Sequence, residues 1–118
     1  MITNGAAMRQ LTATTRDWYT ITNKADTAAE VFIYGEIGWD GVTAEDFVRD
    51  LAAIDAETLD VRVNSPGGSV FGGVAIYNAL RLHKATVNIV VDSLAASVAA
   101  VITQAGDTRT MVQHSQMM

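Results

Sequence analysis

The only proline of this 118-residue chain stands in Asn64-Ser65-Pro66-Gly67-Gly68, between two segments of different period. Before it, Leu59-Asp60-Val61-Arg62-Val63-Asn64 alternates apolar and polar residues, the pattern of a half-buried strand. After it, from Val70 to His83, apolar residues recur at helical spacing, with Val74, Tyr77 and Leu80 as expected core contacts. A strand that turns directly into a helix is one β-α unit, and the flanking sequence repeats the arrangement. Upstream, Asp17-Trp18-Tyr19-Thr20-Ile21 has strand composition, Asn23 to Ala28 reads as a turn, and Glu30-Val31-Phe32-Ile33-Tyr34-Gly35 predicts a clearer strand. Trp39-Asp40-Gly41 turns the chain, Thr43-Ala44-Glu45-Asp46 predicts a capping box, and Phe47, Leu51 and Ile54 mark the buried face of a helix ending near Asp55.

Downstream, Thr86-Val87-Asn88-Ile89-Val90-Val91 predicts another strand. Ala95 to Ala105 is apolar nearly all round and predicts a buried helix, with Gly106 at its C-cap. Thr108 to Val112 and Gln116-Met117-Met118 predict two further short strands. Gly72-Gly73 near the start of the second helix costs up to ~1 kcal/mol per glycine relative to alanine, which points to tight backbone packing there. The order β-α-β-α-β-α-β predicts an α/β layer fold of parallel strands with right-handed crossovers. In such folds ligands sit where strands end and helices begin. Gly67-Gly68 and Ser97, 29 residues beyond Gly68, both fall at such junctions and therefore at one edge of the sheet.

That pairing has a chemistry. Acyl transfer needs a nucleophile, a base that takes its proton, and donors aimed at the developing oxyanion. Ser97, at the first turn of a helix, is a candidate nucleophile, and the N–H of Val98 directly after it is a natural donor. Gly68 offers a second N–H, and glycine permits close approach and unusual backbone angles. Losing one such donor costs ~2.7–4 kcal/mol of transition-state stabilisation. Taken singly, a serine among alanines is a small core residue and Pro-Gly-Gly is a turn; their meeting at one sheet edge raises both as site candidates. His83, at a helix C-terminus, reads as charge–dipole stabilisation or plain exposure. Met111, Met117 and Met118 read as core filler, and Asp92 and Asp107 as loop or cap residues.

Composition excludes several other functions. A net charge of −5 argues against a nucleic-acid surface, which needs a basic stripe. No uninterrupted apolar run reaches the length of a membrane span, and the polar stretch Met1 to Thr15 has no secretory apolar region. Zero cysteine removes disulfides, thiolate metal sites and a cysteine nucleophile, and fits a cytoplasmic location. His83 and His114 are too few for a histidine-rich zinc site, and no cofactor is expected. Residues 1–16 read as a flexible leader and 17–118 as a single domain or part of one.

Val63-Asn64-Ser65-Pro66-Gly67-Gly68-Ser69-Val70, Gly73 and Ile76-Tyr77-Asn78-Ala79-Leu80 resemble the Clp protease proteolytic subunit family. So do Ala95-Ala96-Ser97, Ala105-Gly106-Asp107, Arg109 and Ser115-Gln116-Met117-Met118. The resemblance runs from about Val31 to the end, and the Gly35-Glu36-Ile37-Gly38 stretch and the Thr43–Phe47 helix are most similar to phage head-maturation members. It implies a ClpP/crotonase-type fold and a serine endopeptidase. Ser97 stands at the family nucleophile, and Gly68 and Val98 at its oxyanion-hole positions. It also implies polypeptide substrates, a homo-oligomeric ring of stacked heptamers, and an ATP-dependent unfoldase or phage capsid proteins as partners.

One departure stands out. In the family an Asn-Ser pair is followed closely by Met-Ile-His, whose histidine is the general base. Here His114-Ser115 holds the Asn-Ser position. The resemblance implies that the base lies just past Met118 and the aspartate that orients it well beyond. The chain then reads as the N-terminal part of a protease domain from a longer reading frame, with nucleophile and oxyanion donors but no base. Triads lacking one member keep only ~10³–10⁴-fold of rate over water, so the 118-residue chain is expected to be essentially inactive in peptide hydrolysis. Two alternatives of other classes are a crotonase-type acyl-CoA enzyme, which shares the fold and needs no serine here, and a non-catalytic ring or scaffold subunit.

Overall fold

The computed structural model describes residues 13–15, 17–24, 27–38 and 41–118. Seven strands form one sheet: β1 (Ala13–Thr15), β2 (Tyr19–Asn23), β3 (Ala28–Tyr34), β4 (Thr58–Ser65), β5 (Thr86–Ala95), β6 (Thr108–Met111) and β7 (Gln116–Met117). Among the described residues three helices, α1 (Ala44–Ala52), α2 (Val70–Leu82) and α3 (Val98–Thr103), follow β3, β4 and β5. The sheet order is β1-β2-β3-β4-β5-β6, with β7 also pairing β5. From β3 onward all pairings are parallel, as the β-α alternation predicts. The parallel sheet does not extend to the start: β1-β2 and β2-β3 are antiparallel. Their connections are too short to hold the crossover that parallel neighbours require. Of the expected leader, Ala13–Thr15 are already strand, and the rest lies outside the described residues, as do Trp39 and Asp40 of the expected turn.

The sheet buries one face in register. Ala29-Leu59-Val87, Val31-Val61-Ile89 and Ile33-Val63-Val91 form three apolar rows across β3, β4 and β5, all buried. Phe47 and Leu51 of α1, Ile76 and Leu80 of α2, and Ile102 of α3 join them in one core. The alternate positions carry a polar lattice on the other face. Asp60 accepts from Lys24 (2.8 Å) and Asn88 (3.3 Å), and Thr108 donates to Asn88 (2.7 Å). Arg62 holds Asp92 through Nη2 at 2.5 Å and Nε at 3.0 Å, and Tyr34 donates its phenol proton to the same carboxylate.

Several local expectations shift. The capping box forms, with the Thr43 N–H donating to Asp46 Oδ2 at 2.9 Å, but α1 ends at Ala52, before Ile54. On α2 the buried stripe is Gly73, Ile76 and Leu80, so Val74 faces outward. Strand β5 runs to Ala95, four residues past the expected end, because its register against β4 slips: Val63 pairs Val91 but Ser65 pairs Ala95. The extra residues let β5 change neighbours, from β6 at Asn88–Val91 to β7 at Leu94–Ala95. Met111, Met117 and Met118 are exposed rather than core, because β6 and β7 lie at the sheet edge with every position open.

Candidate active site

Strand β4 delivers the glycine turn. Gly67 and Gly68 have φ of +101° and +139°, a region that disfavours any side chain. Space forbids one as well. A Cβ on Gly68 would lie 2.8 Å from Ile37 N, and one on Gly67 would lie 2.9 Å from both Ala96 O and Ser97 Cβ. Ile37, fully buried, makes a one-residue parallel bridge to the turn. Its N–H donates to Gly67 O (2.8 Å), and its carbonyl accepts from the Ser69 N–H (3.0 Å). In a trans peptide the N–H opposes the C=O, so pinning Gly67 O turns the Gly68 N–H away from Ile37. No acceptor among the described residues bonds that N–H. Ser69 caps α2, its Oγ accepting from the Gly72 N–H at 3.0 Å.

Strand β5 delivers Ser97. The expected helix from Ala95 begins only at Val98, since Ala95 and Ala96 are still held by strand-like bonds: Ala96 N–H donates to Ser65 O (3.0 Å), and Met118 N–H to Ala95 O (2.9 Å). Ser97 itself takes φ +57° and ψ −130°, a conformation that costs a non-glycine residue ~1–3 kcal/mol. Its N–H donates to Met118 O at 2.8 Å. The residue is exposed, and among the described residues its Oγ has no hydrogen-bond partner. The Val98 N–H is likewise without an acceptor among them. Below, α2 and α3 meet where Gly73 lies against the Val98 side chain. The glycine turn and Ser97 thus meet at the ends of β4 and β5, where Gly67 packs against Ala96 O and the Ser97 side chain.

The histidines are not in this cluster of contacts. His83 is not a plainly exposed end-of-helix charge: its Nδ1 accepts from the Ala85 N–H (3.1 Å), so Nε2 carries the proton and donates to Ile54 O (3.2 Å). It lashes the end of α2 to the segment after α1. His114 is exposed at φ +70° in the turn between β6 and β7. Asp107 is a loop residue, one of the two expected readings, accepting from the Val87 N–H of β5 at 2.8 Å, whereas Asp92 belongs to the polar lattice through Arg62. Sequence reasoning missed three contributors to the cluster: Ile37, Ser65 and the carbonyl of Met118. No helix of the described residues is long and apolar enough to cross a membrane.

Comparison with known proteins agrees with this fold. A family model described as Clp protease matches residues 13–118. An ATP-dependent Clp protease proteolytic subunit of Pleurastrum terricola is 39% identical over 66 residues, 54% of this chain and 34% of that protein. Subunit 3 of the same protease from Synechococcus sp. (strain CC9605) is 32% identical over 107 residues, 86% of this chain and 52% of that one. Among solved structures, ClpP1 from Listeria monocytogenes superposes with a TM-score of 0.67 at 30% identity, covering 75% of this chain and 54% of that one. The ClpP protease catalytic domain from Plasmodium falciparum gives 0.65 at 27% identity, over 74% and 51%. The chain therefore spans between about a quarter and about a half of the length of the curated relatives it matches.

Proposed function

The chain belongs to the Clp protease family, and on that premise we propose that Ser97 is the nucleophile of a serine endopeptidase site. The observation that carries the reading is Ser97 itself. It is exposed, held at φ +57° and packed against the glycine turn, and among the described residues neither its Oγ nor the Gly68 N–H has a hydrogen-bond partner. In the reaction, Ser97 Oγ adds to the scissile carbonyl carbon as a base removes its proton. The carbonyl electron pair moves onto oxygen, and the Gly68 and Val98 N–H groups hold that oxyanion. Collapse expels the amine, which takes the proton, and leaves an acyl group on Ser97 for water to remove. His83 is engaged between Ile54 and Ala85 and is not that base. His114 aligns with the family asparagine, so these 118 residues offer the nucleophile and the oxyanion donors without an assigned base.

The substrate is a polypeptide, and the resemblance of Gly35–Gly38 and Thr43–Phe47 to phage members makes a capsid protein its candidate. The working form is a homo-oligomeric ring; Phe71 and Leu82, 86% and 84% exposed on α2, are large apolar surfaces that neighbouring subunits would cover. An unfoldase partner belongs to the cellular members of the family.

A peptide boronic acid tests the site without requiring turnover. Ser97 Oγ adds to the trigonal boron, releases its proton to solvent, and forms a tetrahedral adduct with one oxygen in the donor pair. We expect a tetrahedral ¹¹B signal with the folded chain and none with Ser97→Ala, while peptide hydrolysis by both stays at background. A folded wild-type chain giving no more adduct than Ser97→Ala would refute the nucleophile. Hydrolysis abolished by Ser97→Ala would refute the missing base.

A further inference from the structure

Ser65 is fully buried at the junction of three separate chain segments. Its hydroxyl donates to Gly35 O at 2.7 Å, at the end of β3. The same oxygen accepts from the Gly67 N–H at 3.1 Å, and the Ser65 carbonyl accepts from the Ala96 N–H at 3.0 Å. The proton's direction is dictated: a carbonyl can only accept and an N–H can only donate, so the hydroxyl must give to Gly35 and receive from Gly67.

These bonds decide where the Gly68 N–H points. Two peptide planes flank the Gly67 Cα. The plane that carries the Gly67 C=O and the Gly68 N–H is held by the Ile37 N–H at 2.8 Å. The plane that carries the Gly67 N–H is held by Ser65 Oγ. With both planes anchored, the φ of +101° between them has no freedom left. The neighbouring Ser65 carbonyl anchors Ala96, the residue before Ser97. One residue therefore references the glycine turn and the nucleophile's arm to each other, the turn through its side chain and the arm through its backbone.

We propose that Ser65 is a positioning residue, whose hydroxyl sets the direction of the Gly68 N–H relative to Ser97. The proposal rests on the reading of Gly68 as an oxyanion donor. It separates side chain from backbone: Ser65→Ala removes the anchor of Gly67 and keeps the anchor of Ala96.

The test is amide NMR of the full 118-residue chain, alongside its affinity for the peptide boronic acid. In folded Ser65→Ala, the Gly67 and Gly68 amides shift and the Gly67 amide exchanges faster with solvent, while the Ala96 amide stays protected. Boronate affinity falls by about tenfold or more, the equivalent of the lost bonds, and Ser65→Thr, which keeps the hydroxyl, restores it. If Ser65→Ala does not fold, Ser65→Cys, similar in volume and a poor hydrogen-bonding group, replaces it with the same expected pattern. Gly67 and Gly68 amides that keep their wild-type shifts and exchange in the folded variant overturn the proposal. Wild-type boronate affinity no better than that of Ser97→Ala overturns the reading of Ser97 instead, and the amides still decide the role of Ser65.

Discussion

Gly73→Ala adds one methyl group at the contact between α2 and α3. A Cβ there would lie 2.7 Å from Val98 Cγ1 and 2.9 Å from Val98 Cβ, with Cγ2 closer still. Optimal carbon separations are about 3.5–4.0 Å, so the helices must part by roughly 1 Å. Val98 cannot turn aside, because a β-branched side chain in a helix has essentially one χ1 rotamer and this one is buried. Overpacking of this kind costs ~1–3 kcal/mol. Replacing glycine by alanine in a helix returns about 1 kcal/mol. The net expectation is a loss of up to ~2 kcal/mol, opposite in sign to what helix propensity alone requires. Urea unfolding of wild type, Gly73→Ala, Val98→Ala and the double variant measures it. Val98→Ala alone loses roughly 1.5–3 kcal/mol of burial, but it clears the space. The double variant is therefore expected to be more stable than the sum of the singles by at least ~1 kcal/mol. A Gly73→Ala chain more stable than wild type, or a cycle with no coupling, refutes the close-approach argument.

Two further perturbations probe the sheet face and the strained serine. The Arg62 guanidinium, with help from the Tyr34 phenol and against partial burial, holds the Asp92 carboxyl below its ordinary value. A lowered carboxylate pKa adds stability above the ordinary carboxylate range, and that stability is lost as pH falls through the lowered value. Asp92→Asn is thus expected to cost about 1 kcal/mol at pH 7, after allowing for the exposure of Arg62, and to approach wild type below about pH 4. Urea midpoints across that range check it, and a gap that widens on acidification would contradict the sign. At Ser97, glycine relieves the φ of +57° that alanine cannot. Ser97→Gly is therefore expected to be more stable than Ser97→Ala by ~1 kcal/mol in thermal unfolding, despite the flexibility glycine adds to the unfolded chain.

What was legible in the sequence was whatever a single element dictates. The alternation in Leu59–Asn64 and the β-branched run Thr86–Val91 state their strands because each side-chain position faces one way. Thr43 and Asp46 state a helix start because the cap bond spans only three residues. Errors lie where a distant segment overrules the local pattern. Val74 stands three residues before Tyr77, as Tyr77 does before Leu80, yet the stripe that is buried is Gly73, Ile76 and Leu80, with α3 packed close at Gly73, and Val74 is left outside. The methionines look like core by residue type, but the edge position of β6 and β7 exposes them. Antiparallel pairing of β2 with β3 follows from a short connection, and no residue type announces it.

Ser97 is the sharpest case of that override. Read locally, Ala95 to Ala105 is one helix with the serine inside it, and a serine there would turn its Oγ into the helix surface. A six-residue helix cannot impose its own start, because so short a segment lacks the propagation that offsets nucleation. The start is imposed instead from three places far along the chain. Ser65 O holds Ala96, Met118 O holds the Ser97 N–H, and Gly67 lies close against Ala96 O and the Ser97 side chain. The alanines contribute by being small enough to let those segments close in. A serine that resembles core filler in sequence therefore becomes an exposed elbow only in the folded chain, and its position depends on contacts made by Ser65, Gly67 and Met118 rather than on its immediate neighbours.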